Sequence, residues 1–475
     1  MGWVVLAGCL LGMQCARQSE VPITTASKEA RELFKEARME GENLYRAVAM
    51  TMLSDAIEKD PDFAMAYLYR SHHASDPERR LRDLQRAVEL SDGVSAGEQM
   101  IIKSYQAYYS ENNPDRAVEF YELLTDMFPR DKRVHFRLGE FYRLMGRNEM
   151  AVEQQERALS IDENFPPSYN QLGYINLAMG NYTESEESFQ NYIRLVPEQP
   201  NPYDSMGDLY SRMGRYEEAI EYYKQALEKD PDFTYSQLKI GTNLVFLGRY
   251  GEGREAGRKA IQLQPTVEGQ VQDMGLIYRS YLYEGEPQKA LEEADKIIKI
   301  ASENNMMSQV AQYELAKAAI YVEQEDYDEA EQSLRECRTI LETAEMPSFF
   351  WENFSDMLHF WEAAAAAKQK NITQALATAA RYMNTLRESR NPDRMKYHMG
   401  LLGYIELERD FPEIAVEYFR QADIEEPLFM YYAALAEYQG GSRARAARLF
   451  RRLADWNADS LWYAYIYKKA LARQE

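Results

Sequence analysis

The sequence predicts an all-α protein: an α-solenoid, wound as a right-handed superhelix, of about twelve antiparallel helix pairs closed by a helix over Leu461 to Arg473. Three observations predict it. Gly139, Gly173, Gly207 and Gly241 follow one another at steps of 34 residues, and a fixed period of that size marks stacked supersecondary units. Gly146, Gly180, Gly214 and Gly248 keep the same step, as do Ala158, Tyr192, Ala226 and Ala260, and then Pro197, Pro231 and Pro265. The composition agrees, with 45% apolar residues but only 24 Gly and 17 Pro in 475, a balance suited to helices joined by short turns.

Each rung has a physical reason. The first glycine lets the paired helix approach closely, and the second leaves its helix in a left-handed conformation. Ala151 and Ala219 mark the crossing of the two helices, and Pro231 stops the second one. Tyr203-Asp204-Ser205-Met206-Gly207-Asp208-Leu209-Tyr210, then Gly214-Arg215-Tyr216-Glu217-Glu218-Ala219, then Tyr223, Ala226 and Pro231 closely resemble the tetratricopeptide (TPR) repeat. That resemblance implies a TPR-like helix–turn–helix unit and a non-catalytic, protein-binding array.

The pattern weakens to either side. Upstream, Ala117, Tyr121, Leu124 and Pro129 keep the frame with Asn112 in the turn, and Ala49, Leu53, Ala56 and Pro61 imply a first unit from about residue 27. Leu84 and Ala87 imply a shorter second one. Downstream, Gly285 and Ala290 arrive three residues late, so that first helix is longer. Glu325-Asp326-Tyr327 and Lys370-Asn371-Ile372 read as degenerate turns, and Gly403, Asp410, Ala415, Ala422 and Pro427 recover the standard spacing. Gly441, Ala446 and Phe450 mark a last pair. The expected organisation is a leader over 1–20 and an array over 27–266, most regular over 96–266. Irregular pairs follow over 267–345, then degenerate pairs and the closing helix over 346–475. Prolines at Glu345-Met346-Pro347 and Glu388 to Pro392 mark inter-repeat turns or joints. The closing helix mixes Trp462, Tyr463, Tyr465, Ile466 and Tyr467 with Lys468 and Lys469, as a cap over the last apolar face would.

Met1 to Met13 is uncharged and apolar almost throughout, with the length of a signal-peptide core. Leu6-Ala7-Gly8-Cys9 resembles a bacterial lipobox, which implies lipidation at Cys9 and a tether to the cell envelope; Cys15 is a weaker alternative. An uncleaved membrane anchor and a cytoplasmic chain are the competing readings. Cys337 lies in a helical stretch and reads as a core residue.

A formal charge of −22 repels phosphate backbones, so nucleic acid is excluded as a partner over most of the surface. The expected partner is an unidentified protein or peptide, basic or extended. In TPR-like arrays the binding wall is the concave face of the first helices. By spacing, that wall holds Phe136, Glu140 and Arg143; Asn170, Tyr174 and Leu177; Asp204, Asp208 and Ser211; and Leu238, Thr242 and Val245. The family's carboxylate clamp requires Lys and Asn at first-helix places that here hold Phe136 and Glu140, or Asp204 and Asp208, and is not expected in this segment.

No enzyme chemistry, cofactor or metal is expected. The five histidines, His72, His73, His135, His359 and His398, lack zinc spacing, and His72 and His73, being adjacent, should point to different helix faces. Gly251, Gly253 and Gly257 lack a preceding strand and read as packing positions. Glu186-Glu187 and Glu217-Glu218 sit at helix starts, where carboxylates meet the positive dipole end. Asn181, Asn353 and Asn371 begin chance glycosylation sequons. A regulatory arm for a separate signalling protein and an α-solenoid enzyme are the alternatives to an adaptor.

Overall fold

The structure is a computed structural model and describes residues 19–42, 45–74, 77–111, 113–344, 348–387, 394–456 and 460–473. Cys9, Cys15, Asn112 and the proline joints at 345–347 and 388–392 lie outside the described residues, as does nearly all of the leader. Among the described residues there are 25 α-helices and no strand. They form twelve consecutive pairs and a closing helix.

The chain divides into two compact units, residues 1–209 and 210–475. The first contains α1 (Lys28–Glu42), α2 (Arg46–Lys59), α3 (Ala64–His73), α4 (Pro77–Glu89), α5 (Ala96–Tyr109), α6 (Pro114–Met127), α7 (Lys132–Leu144), α8 (Asn148–Ile161), α9 (Pro166–Met179) and α10 (Tyr182–Leu195), and most of α11 (Asn201–Arg212). The glycine rungs behave as the sequence predicts. A Cβ at Gly173 would stand 2.2 Å from the Phe189 ring of the paired helix, and Gly180 ends α9 at a φ of 79°. Ala117, Ala151 and Ala158 are fully buried at the crossings. Helix α5 begins in a capping box in which Ser95 and Glu98 satisfy each other's end of the helix.

The second unit holds α12 (Tyr216–Lys229), α13 (Thr234–Phe246), α14 (Tyr250–Leu263), α15 (Val267–Glu284), α16 (Pro287–Glu303), α17 (Met307–Gln324), α18 (Tyr327–Thr343), α19 (Ser348–Lys368), α20 (Ile372–Leu386), α21 (Arg394–Glu408), α22 (Pro412–Phe419), α23 (Pro427–Gln439), α24 (Arg443–Ala454) and α25 (Leu461–Leu471). Helix α15 has 18 residues where α13 has 13, the lengthening that the late Gly285 implies. The degenerate turns keep the left-handed conformation without glycine: Glu325, Lys370 and Asp410 have φ near 60°, at 64°, 59° and 61°. Cys337 is buried in α18, and its burial pushes the thiol up to about 12.

Two expectations about this unit need correction. Helix α22 ends at Phe419, so Ala422, expected at the small-residue rung inside it, lies in the turn beyond. The amides of Gln421 and Ala422 bond three residues back, to Tyr418 and Phe419, which tightens the chain out of the α-helix. The closing helix also does more than shield the last pair. Its aromatic residues face several ways and reach across the unit. Tyr463 and Tyr467, one turn apart, meet Tyr283 of α15 with centroids at 5.9 and 5.0 Å, while Trp462 and Tyr465 meet Trp361 of α19 at 5.7 and 5.5 Å. Tyr465 donates to the Ala319 carbonyl of α17 at 3.1 Å, and Lys469 pairs with Glu323 at 2.8 Å.

Candidate functional site

The first helices of the first unit, α1, α3, α5, α7 and α9, share one face, and that face has a covered part and an open part. The covered part carries residues 21–25 of the same chain, which form neither helix nor strand. Val21 N–H donates to Asp131 Oδ2 at 2.8 Å, and Thr24 donates to Glu98 through its N–H at 2.7 Å and its hydroxyl at 2.5 Å. Glu98 is fully buried, so its charge is held by these bonds and by Ser95. Asp60 takes the hydroxyl of Thr25 and, at 2.9 Å, the N–H of Ala26. Carboxylates on helix starts and turns thus hold a stretch of ordinary backbone.

The open part is a cavity of about 280 Å³ between the later turns of α1, α3, α5 and α7, the first turns of α9 and the start of α2. Four residues that the spacing places on the binding wall, Phe136, Glu140, Arg143 and Asn170, line it together. Arg137, His72, His73 and Arg46 complete its polar lining. Arg137 Nη1 donates to Glu140 Oε2 at 2.6 Å and lies 3.3 Å from His72 Nε2. Burial works against the charge of Arg137, but Glu140 together with Tyr105, Tyr69 and Tyr121 outweighs it and holds the guanidinium well above its usual range. Glu42 is bonded to Arg133 at 2.7 and 3.1 Å. Both cavity carboxylates are therefore engaged, whereas Arg46 and Arg143 have no carboxylate partner among the described residues.

Three buried polar atoms at the cavity, Arg143 Nε, His72 Nδ1 and Gln171 Oε1, have no hydrogen-bond partner among the described residues. Such atoms are uncommon unless a ligand or water completes them. Burial first, then Arg137, His73 and Arg46, drive His72 well below its usual range; burial, then Arg137 and Arg46, push His73 down to about 4. Both rings are neutral at physiological pH. With Nε2 accepting from Arg137, His72 presents Nδ1–H as a donor.

The other wall residues fare differently. Tyr174 donates to Asp208 at 2.8 Å and lies 3.2 Å from Ser205, which donates to Asn170 at 3.0 Å, a chain of bonds that ties α9 to α11. Asp204 is buried at 3% exposure, and Leu177 is half-buried. Ser211, Leu238, Thr242 and Val245 belong to the second unit. Ser211 and Leu238 are half-buried there, Thr242 bonds the Leu238 carbonyl at 3.4 Å, and Val245 is a core residue at 2% exposure, packed on Gly253 of its own pair. Val245 is thus not on an open wall. The reason is helix geometry: Val245 lies about 60° around the helix from Thr242, on the side that meets Gly253 of α14.

His72 and His73 also differ from expectation, since both border the same cavity, with ring centroids 5.1 Å apart. Helix α3 ends at His73, and its last turn offers both rings to the opening. Sequence reasoning missed Arg46, His72, His73 and Arg137 because they come from pairs without the glycine ladder or from off-stripe positions. Among the described residues no group of three or more His, Cys, Asp or Glu could hold a metal, and no helix is long and apolar enough to cross a membrane.

Three family models described as tetratricopeptide repeat match residues 132–165, 164–232 and 205–268. No curated protein matches the chain significantly. Among solved structures, a tetratricopeptide repeat protein from Parabacteroides merdae is 15% identical, with a TM-score of 0.40, over 55% of this chain and 98% of its own. MamA from Desulfovibrio magneticus is 17% identical, at 0.31, over 36% and 97%. YrrB, described as a TPR protein with an unusual peptide-binding site, is 20% identical, at 0.29, over 38% and 93%. All three overlaps fall short of a shared global fold. The matched models, the 34-residue frame they cover and the helix pairs it builds make residues 132–268 of this chain tetratricopeptide repeats.

Proposed function

We propose that the chain is a non-enzymatic adaptor whose first unit binds an extended segment of a partner protein in the cavity between α1, α3, α5, α7 and α9. The observation that carries this reading is the pairing of an open cavity, with buried unpartnered atoms at Arg143, His72 and Gln171, with a neighbouring stretch of the same face that already holds residues 21–25 by their backbone. The cavity is polar where a ligand would enter and aromatic at Phe136, Phe141 and Tyr105 behind. A volume of 280 Å³ suits one or two side chains of a peptide whose backbone runs along the face.

The chemistry favours an acidic or amide side chain in the cavity rather than a basic one. The basic-partner expectation rested on the net charge of −22 and on the wall's carboxylates; of these Asp204 is buried, and Asp208 accepts from Tyr174. The cavity instead carries three arginines against two carboxylates that are already paired. Peptide selection against the leaderless chain tests this. Selected peptides should be enriched in Asp, Glu or Gln, and Arg143→Ala with Gln171→Ala should weaken their binding about tenfold or more. Undiminished binding to that double variant would move the site elsewhere.

The proposal includes an envelope location, supported by the apolar run before Cys9 and the small residues Ala7 and Gly8. Palmitate labelling of cells expressing the chain, lost in Cys9→Ala, is the expected outcome. Labelling that persists in Cys9→Ala and is lost in Cys15→Ala would move the lipid, and no labelling would leave the adaptor untethered.

A further inference from the structure

The truncation of α22 has a consequence within the second unit. The other second helices of pairs run to between 12 and 17 residues, and α22 has eight. Where its missing turn would lie, the structure has a slot of about 230 Å³ between α22, α23 and α24. Its walls are apolar, formed by Val416 and Phe419 of α22, Ile424 of the following turn, Ala433 of α23 and Leu449 of α24. Arg420, Arg445 and Arg448 stand around it, with Glu437 as the one carboxylate.

The charge of this rim departs from the rest of the molecule. Between Arg443 and Ala454 the chain carries five arginines and no acid, in a protein of net charge −22. Glu437 is taken by Arg445 at 3.1 Å, and Glu417 by Arg420 at 2.5 Å. Arg448 is exposed and has no ion-pair partner among the described residues. The slot therefore joins an apolar interior to an uncompensated cation.

We propose that this slot is a docking site for an acidic segment of a partner protein, which inserts one bulky apolar side chain between α22 and α24 and turns its carboxylates toward Arg448 and Arg420. Size and charge select that occupant. The volume lies below the roughly 300 Å³ at which pockets for whole small ligands begin, but it accommodates a single Leu, Phe or Trp anchor of the kind that dominates protein interfaces. The arginine rim repels basic segments and draws acidic ones. The site is separate from the cavity of the first unit and stands or falls without it.

The test uses the full chain and a short labelled peptide carrying one Trp among Asp and Glu residues, with two controls: the same peptide with Ser for Trp, and one with Lys for the acids. The acidic Trp peptide should bind, and either control should bind at least about tenfold more weakly. Arg448→Glu, at an exposed position where folding is not at stake, should weaken the Trp peptide by a similar factor, and Ala433→Leu should do so by filling the slot. The loss caused by Arg448→Glu and by Ala433→Leu should be the same with or without Arg143→Ala, which separates this site from the first unit's cavity, itself open to acidic segments. No binding of the acidic Trp peptide, equal binding of the Ser control, or indifference to Arg448→Glu would overturn the proposal. So would binding confined to phosphatidylglycerol vesicles.

Discussion

At the scale of single residues, the cavity of the first unit is set by how Arg137 is shared. Its guanidinium lies over Phe136 and Tyr69, at 5.3 and 5.9 Å, donates to Glu140 and presses on His72. Burial first, and Arg137 after it, keep both histidines neutral, and this has a measurable sign. A histidine whose folded pKa is depressed takes up its proton first in the unfolded chain, so stability is intact above about 6.5 and falls as pH drops from there toward 4. Amide exchange in α3 should accelerate across that window, by up to about 1.4 kcal/mol per pH unit for each histidine. The His72→Gln/His73→Gln variant should flatten the slope; an unchanged slope would assign the pH response to other groups. None of this was readable from the sequence. His72 and His73 sit in a pair without the glycine ladder, and adjacency on a helix argues for divergent side chains unless the helix ends there.

At the scale of elements, what was legible follows from what is local. A glycine that must admit Phe189 and another that must turn left-handed leave their mark at fixed spacing, so pairs over residues 96–266 could be placed from the chain alone. Farther along, the left-handed turns persist while the glycines do not, and the strain falls on Glu325, Lys370 and Asp410. Lys370→Gly should therefore stabilise the second unit by about 0.5–1 kcal/mol, the gain from relieving a left-handed non-glycine less the added freedom of the unfolded chain. A rise in the denaturant midpoint checks it, and a fall would mean that the Lys370 contacts with Glu408 outweigh the strain. The early end of α22 was illegible for the complementary reason. Ala415 and Ala422 keep the expected spacing, and no Gly or Pro between Pro412 and Pro427 announces that the helix stops at Phe419.

At the scale of the whole molecule, two units built from helix pairs differ in how their contacts run along the chain. In the first, most packing is between neighbouring helices, while residues 21–25 reach forward to Glu98 and Asp131 and α7 reaches back to Glu42 and His72. In the second, α25 binds Tyr283, Ala319, Glu323 and Trp361, so helices far apart in sequence are fastened by one short element. An open array frays from its ends, each repeat holding only its neighbours. With α25 in place, α15 to α24 should instead exchange their amides as one cooperative block; in Trp462→Ala/Tyr465→Ala the block should separate, with α15 to α19 exchanging sooner. Independent exchange in the unaltered chain would reduce α25 to a local cap. The same contact sets a timetable for synthesis. Tyr283 is made 180 residues before its partner Tyr463, which at the usual pace of translation is a wait of about 10–40 s. The first unit can mature as it emerges, while the aromatic face of α15 stays uncovered over that interval, joined by those of α17 and α19 as they are made, and it is there that a chaperone would be needed.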